Sequence, residues 1–208
     1  MTEPQTPEYG RFLASVKGVD PDDREHLDVG ALKALKGDEK DAAHELLVER
    51  VKTTDDWRGP PAIAEIRLKR AVGPMRARLP RSKGRMRVAL ASALVELGAI
   101  DSIDDTVVDM LKGGDGDEGI TALAAADGRP PTTPLMKGLA WSALHHPSGE
   151  VRANAGAAIL RMAKLGDDPL MWAYRPLYIK LAEDDEAVRR DAYLEICKLT
   201  QMPPSMAD

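Results

Sequence analysis

Histidine and cysteine side chains carry the most reactive groups of this chain, which holds four histidines and one cysteine. His145 and His146 stand side by side before Pro147, at a turn that follows a helical pattern. Imidazoles at such a turn commonly cap the last carbonyls of a helix, so capping or simple exposure is favoured over metal binding. Cys197 lies among apolar residues with no histidine nearby in sequence. We predict a small buried hydrophobic residue there rather than a nucleophile.

A glycine-rich stretch, GGDGDEG at 113–119, has the composition of an ion-binding or phosphate-binding loop. It lacks a following Lys-Ser/Thr pair and comes after a helical pattern instead of a strand, so it does not fit a phosphate loop. Asp115, Asp117 and Glu118 offer oxygen ligands for calcium, but the bidentate glutamate that ends a calcium loop is missing. The sequence therefore predicts a solvated turn at 113–119. For the chain as a whole, it predicts no catalytic residue, no metal site and no cofactor.

Charge is unevenly distributed along the chain. Residues 58–87 hold ten basic residues and one acid, for a net charge of +9, although the whole chain carries −5. Residues 99–128 hold eight acids and one lysine, for −7. Two interpretations stay open: solvated helix faces of opposite charge, or a basic groove for an acidic partner. The ten basic residues are Arg58, Arg67, Lys69, Arg70, Arg76, Arg78, Arg81, Lys83, Arg85 and Arg87.

Turn signals divide the rest of the chain into short segments with helical periodicity. Clusters of glycine, proline and aspartate recur about every 15 to 20 residues, and no segment shows sustained strand alternation. With only 4% aromatic residues, the core must be filled by Ala, Leu, Val, Ile and Met, which favours packed helices. Helix starts are indicated at Ser148 and at Asp184 or Asp185. Residues 1–19 and 201–208 lack this periodicity and are predicted as tails.

Three of the segments share one spacing of apolar and small residues around an arginine, and this spacing is called the frame. Arg152 in VRANAGAAILRM follows an apolar residue and precedes small or apolar residues at offsets three, four and seven. Arg87 and Arg189 fit the same frame, and weaker matches centre on Gly119 and Lys40. Recurrence of one helical frame at a spacing of about 32 to 47 residues indicates an internal repeat.

A proline marks the segment before two of these arginines. Pro74 and Pro176 each stand 13 residues before the arginine of their frame, which predicts a bent first helix packed on a straighter second one. This combination resembles the HEAT repeat, a helical hairpin that stacks into an α-solenoid, and the resemblance covers about residues 27–200. It implies an all-α, right-handed α-solenoid of about five HEAT-like hairpins forming a single domain over residues 20–200.

The resemblance also bears on individual side chains. It implies that Arg152 forms a structural salt bridge between repeats, with an acid near the turn such as Asp184 or Glu150. HEAT-like hydroxylases of the deoxyhypusine hydroxylase family bind metal through His-Glu pairs that recur in several repeats. His44-Glu45 occurs once here, at a different offset, which disfavours a metal site.

We therefore expect a non-enzymatic scaffold or adaptor that binds a protein partner through its concave or charged surface. The predicted contact residues are Arg81, Lys83, Arg85, Asn154, Arg161, Lys164, Trp172, Arg190 and Lys198. One alternative is nucleic-acid binding through residues 58–87, which the strongly acidic neighbouring repeat disfavours. A second alternative is a HEAT-like hydroxylase or lyase subunit.

The expected compartment is the cytoplasm. A single cysteine excludes an internal disulfide, and the N-terminal residues lack the basic and apolar regions of a secretory signal. No apolar run approaches the roughly 18 residues of a membrane span, so no membrane partner is expected.

Overall fold

The computed structural model describes residues 6–18, 25–165 and 172–208. Within these ranges the regular elements are helices and no strand occurs, which confirms the all-α prediction. None of the described helices combines the length and hydropathy that crossing a membrane requires. The α-helices of this part of the chain are α1 (Pro7–Lys17), α2 (Val29–Ala34), α3 (Gly37–Thr53), α4 (Gly59–Glu65), α5 (Val72–Arg78), α6 (Gly84–Glu96), α7 (Asp104–Gly113), α8 (Gly116–Ala126), α9 (Thr133–His145), α10 (Gly149–Met162), α11 (Arg175–Ala182) and α12 (Glu186–Thr200).

The helices fall into two compact units, Met1–Ile103 and Asp104–Asp208. In the first unit, α1 packs on α2, α3 packs on α4 and α5, and both α4 and α5 pack on α6. These contacts enclose one apolar core whose fully buried members include Phe12, Leu32, Leu47, Ile63, Met75 and Leu90. The single domain expected over residues 20–200 stays a prediction.

The second unit consists of three successive helix pairs. The pairs are α7 with α8, α9 with α10, and α11 with α12; α9 also packs on α7, and α10 packs on α8 and α11. An amphipathic helix must bury its apolar stripe against another element, and here each pair covers the stripe of its neighbour. The buried side chains include Leu111, Leu135, Leu139, Ile159, Leu181 and Ile196.

The five sequence frames coincide with helix starts. The helices α3, α6, α8, α10 and α12 each begin three residues before the central residue of a frame. Three of these helices have an N-cap side chain that accepts a hydrogen bond from a first-turn N–H: Asp115 for α8, Ser148 for α10 and Asp185 for α12. The helix starts predicted at Ser148 and Asp185 are thus confirmed, and one local design recurs along the chain.

The marker prolines lie in the first turns of their helices. Pro74 is the third residue of α5 and Pro176 the second of α11, and a 3-10 turn precedes each helix at Lys69–Ala71 and Trp172–Tyr174. First-turn N–H groups have no partner within the helix, so proline removes no hydrogen bond there. The prolines therefore lie at helix starts and not inside α-helices, where the predicted bend would have cost a hydrogen bond, and a 3-10 turn leads into each helix.

Both segments predicted as tails contain packed structure. Phe12 of α1 is fully buried in the core of the first unit. At the other end, Pro204–Ala207 forms a 3-10 turn that packs on α9 and α12, and the Tyr193 hydroxyl donates to the Pro204 carbonyl at 3.2 Å. Short, proline-rich segments carry no helical periodicity, so sequence alone could not indicate this burial.

Candidate partner-binding surfaces

Arg152 is the most completely enclosed charge among the described residues, with 3% of its surface exposed. Its guanidinium donates to the carbonyls of its own turn, His146 at 2.8 Å and Pro147 at 2.9 Å. It also reaches the end of α11, at the carbonyls of Leu181 (2.7 Å), Ala182 (2.7 Å) and Glu183 (2.9 Å). Arg152 therefore joins two helix pairs and has no donor left for a ligand.

The salt bridge predicted for Arg152 is present. Its Nη2 lies 3.1 Å from Oδ1 of Asp184, one of the two acids that the resemblance implied. The Asp184 side chain is fully exposed, so water screens this pair. The hydrogen bonds to the buried carbonyls therefore contribute most of the stabilisation of this contact. The structural role expected for the arginine of this frame is confirmed at this position.

The buried histidine corrects one expectation. His146 was expected to cap a helix or to lie exposed, but only 1% of its surface is exposed. Its Nδ1 accepts the N–H of Ser148 at 3.0 Å, and burial lowers the pKa of the ring. Gly119 of α8 leaves room for this turn: a Cβ there would lie 2.7 Å from a methyl of Val151 and 3.2 Å from His146 Nε2.

The other residues that could take part in chemistry have structural surroundings. The described ranges contain no group of three His, Cys, Asp or Glu side chains that could hold a metal ion. Asp115 caps α8, its Oδ1 accepting the N–H of Glu118 at 3.0 Å. Cys197 is buried as predicted, and burial raises the pKa of its thiol. Asp115 and Cys197 thus serve the fold, as a helix cap and as a buried side chain. The candidates for function are therefore exposed surfaces.

The first candidate is a groove beside α10, of about 630 Å³, here called the α10 groove. The predicted contact residues Arg161 and Lys164 line it, and Asn154 lines an adjoining depression that shares Arg161. Arg161 pairs with Asp127 at 2.9 Å. The structure thus brings three predicted residues together and adds a third cation, Arg129, which also lines the groove.

Arg129 was missed because its sequence context, a turn, carries no signal for function. It pairs with buried Asp104 at 3.4 Å, and the same carboxylate accepts the Thr132 hydroxyl at 2.6 Å. Both guanidinium groups of the α10 groove are therefore held by acids of the same unit. This pairing leaves the groove little net positive charge.

The second candidate is the C-terminal groove, of about 740 Å³, between α11, α12 and the chain end. Leu177, Lys180, Asp191, Leu194, Glu195, Lys198, Pro203 and Pro204 contribute to its lining. The large hydrophobic side chains exposed in the described chain lie on these same two helices: Ile179 is 54% exposed, and Leu194 and Leu199 are each 36% exposed. Of these three, Leu194 lines the groove, together with Leu177, Pro203 and Pro204 and among charges of both signs. Apolar surface in such a setting is typical of a protein contact.

The remaining C-terminal predictions have different outcomes. Lys198 lines the C-terminal groove, and its role as a contact residue stays a prediction. Arg190 is exposed and pairs with Glu186 on its own helix at 3.2 Å. The side chain of Trp172 lies outside the described part of the structure. Leu194, which no sequence signal distinguished from core leucines, contributes the apolar surface between the charges.

The third candidate lies in the first unit, around the start of α6. Arg81, Lys83 and Arg85 are all exposed, and the Arg85 guanidinium lies over the ring of Trp57, 5.6 Å from its centroid. These three cations are called the α6 basic surface. The sequence grouped them correctly, but it gave no indication of Trp57, which lies 28 residues away from Arg85 in the chain.

Several other cations of the basic run serve the fold. Arg58 binds Asp56 at 2.7 Å and donates to two carbonyls at the end of α1. Arg78 pairs with Asp55 at 2.6 Å and donates to the Lys52 carbonyl. Although burial opposes ionisation of Asp56, hydrogen bonds from Arg58 and Arg50 outweigh it and lower the pKa of that carboxyl. The net charge of +9 therefore overstates what a ligand would meet.

Comparisons with family models, curated proteins and solved structures give no significant match.

Proposed function

We propose that this protein is a non-enzymatic, cytoplasmic scaffold or adaptor of the HEAT type that binds a protein partner. The observation that carries the proposal is the C-terminal groove, whose lining exposes Leu194 beside Leu177 and two prolines among charges of both signs. Exposed apolar side chains cost free energy in water, which burial against a partner recovers. A right-handed α-solenoid of about five hairpins is part of this proposal.

The recurring frame supports the HEAT-type assignment. The arginines of α10 and α12 donate to carbonyls five and six residues earlier: Arg152 to Pro147 and His146, Arg189 to Asp184 and Glu183. A contact repeated at identical offsets is what a structural repeat predicts. The helix starts at the five frames agree with it.

The partner segment proposed for the C-terminal groove is short, apolar and flanked by charges of both signs. The groove volume accommodates a few side chains, which favours a short segment over a second globular surface. Lys180 and Lys198 stand among the lining residues with Asp191 and Glu195, so the rim has no single sign of charge. Such a rim suits a mixed-charge segment of a protein better than a polyanion.

Site-specific crosslinking tests the proposal. A photoreactive phenylalanine analogue replaces Leu194 and, as a control in the same unit, exposed Lys137; both proteins are expressed in the natural host. We expect one defined protein to crosslink at position 194 and not at 137. That protein, purified, should bind the wild-type chain, and Leu194→Glu should weaken binding about tenfold or more while Lys137→Glu leaves it unchanged.

Three results would contradict the proposal. Equal crosslinking at both positions, or no binding by the purified protein, removes the C-terminal groove as the contact. Crosslinking of the chain to itself replaces an adaptor with an oligomer. Recovery of nucleic acid with steep salt dependence, or of stoichiometric metal by elemental analysis, favours the nucleic-acid-binding or the hydroxylase alternative.

A further inference from the structure

The start of α6, like that of α3, lacks the side-chain cap found at α8, α10 and α12, and unlike α3 it has no acid in its first turn. At the N-cap, α10 has Ser148 and α12 has Asp185, whose side chains accept first-turn N–H groups, whereas α6 has Lys83 and no side-chain cap. In the first turn, α10 has Glu150 where α6 has Arg85. Cations at a helix N-terminus oppose the helix dipole, so these residues do not stabilise α6. Their presence indicates a role in binding instead of a role in stabilising the helix.

Arg85 is held in place before any ligand arrives. Its guanidinium lies over the Trp57 ring, and Trp57 packs against the apolar core of the first unit. A cation stacked on a fixed ring loses less conformational freedom on binding an anion than a free side chain would. The same contact covers one face of the ring, which makes Trp57 a poor platform for stacking a nucleic-acid base.

The two acids that precede Trp57 in the chain pair with other arginines and not with the α6 basic surface. Asp56 is engaged by Arg58 and Arg50, and Asp55 is engaged by Arg78. Within the described ranges, no ion pair involves any of the three cations of the surface. Their positive charge is therefore available to a ligand.

We propose that the α6 basic surface binds a run of aspartate or glutamate residues in a protein partner. Three cations within five residues suit a short acidic segment. The Trp57 ring, with one face covered by Arg85, gives a nucleic-acid base little to stack on, which favours a protein segment over a nucleic acid. The inference rests on the proposed function only in taking the partner to be a protein, and it uses a surface separate from the C-terminal groove.

The test is fluorescence anisotropy with labelled oligoglutamate at low salt. The wild-type chain should bind it, and the triple change Arg81→Glu, Lys83→Glu and Arg85→Glu should weaken binding about tenfold or more. A control triple change with the same shift in net charge, Lys36→Glu, Lys40→Glu and Lys137→Glu, should weaken binding less than about twofold. Trp57→Leu should weaken binding about threefold by freeing Arg85.

Each result decides for or against the inference. Equal losses in the two triple variants, with unchanged thermal midpoints, would show that net charge alone acts and would overturn it. Tighter binding of single-stranded oligothymidylate than of oligoglutamate would overturn it in favour of nucleic acid, and so would no binding of either probe. Leu194→Glu should bind oligoglutamate normally, so failure of the C-terminal groove as a contact is separable from failure of this surface.

Discussion

The helices α10 and α12 are built on one frame but lie in different surroundings. Arg152 and Arg189 occupy the same frame position and bind their own turns in the same way. Beyond that, Arg152 has a following helix pair, which supplies three further carbonyls and encloses it. The local contact is therefore encoded within the frame, whereas the burial is supplied by the next helix pair.

The side chains at equivalent positions of α10 and α12 also differ in size, according to whether another helix pair follows. Where α10 has Gly149 and Gly156, α12 has Glu186 and Tyr193. A Cβ on Gly149 would lie 2.5 Å from the Ala182 carbonyl oxygen, and a Cβ on Gly156 would lie 2.4 Å from a methyl of Leu181. Close approach of the next pair therefore requires the two glycines of α10, and α12 is free of that requirement.

The largest expected effect comes from the two arginines. Arg152→Met removes a buried guanidinium and leaves its carbonyl partners without a donor, which should cost about 3 to 5 kcal/mol of unfolding free energy. Arg189→Met should cost about 1 kcal/mol or less, since its partners are reached by water. Chemical denaturation measures both values.

A milder substitution of Arg152 allows the comparison with Arg189 even if Arg152→Met does not fold. If Arg152→Met does not fold, Arg152→Lys should still fold with an intermediate loss, because lysine keeps the charge but lacks the planar fork. Equal losses at positions 152 and 189 would contradict the view that the next helix pair supplies the burial.

A second test uses the first residues of the two helices. Gly149→Ala places a methyl group against a backbone oxygen that cannot move independently, so it should cost about 2 kcal/mol. Glu186→Ala removes only a surface pair with Arg190 and should change stability by about 0.5 kcal/mol or less. Thermal unfolding of both variants measures these losses of stability. An unchanged stability of Gly149→Ala would mean that α10 and α11 do not pack closely at this position.

A pH titration isolates the turn before α10. The folded state holds the pKa of His146 below the usual 6.5, so its contribution to stability is full above pH 6.5 and is lost as the pH falls. The unfolding free energy should therefore decrease as the pH falls below about 6.5, and His146→Gln should flatten that slope.

His44 is the control for this titration. Burial, followed by the charges of Arg70 and Lys40, lowers its pKa in the same direction. Because His44 is only partly buried, His44→Gln should flatten the slope less than His146→Gln. The reverse order would assign the pH response to the first unit.

The smallest effect is expected at the exposed end of the Arg152 network. Asp184→Asn removes the carboxylate of a pair whose acid is fully exposed, while the carbonyl contacts of Arg152 remain. The melting temperature should stay within experimental error of the wild type. A clear drop would show that the salt bridge, and not the carbonyl set, holds the two helix pairs together.

Local features of the fold were predictable from the sequence, and contacts between distant segments were not. Helical periodicity, the cap at Ser148 and the partnership of Arg152 with Asp184 follow from spacing and residue type. The burial of His146 depends on Gly119 in another helix, and the stacking of Arg85 on an aromatic ring depends on a residue in another segment. Such pairings arise from packing, which periodicity does not specify.

The same limit applies to the candidate surfaces. Exposed cations such as Lys198 were predictable from charge and helical position. The apolar part of the C-terminal groove was not, because Leu194 looks like a core residue until the helix is placed. Arg129 joins the α10 groove only because Asp104, far away in sequence, holds it there.

The buried state of Cys197 has a practical consequence. Its thiol is enclosed, and the raised pKa keeps it protonated at neutral pH, so alkylating dyes should react with it slowly. Since it is the one cysteine of the chain, the native protein already serves as a background for site-directed labelling. A cysteine introduced in each unit would carry a probe pair, and the separation of the two units could then be followed in solution without altering the core.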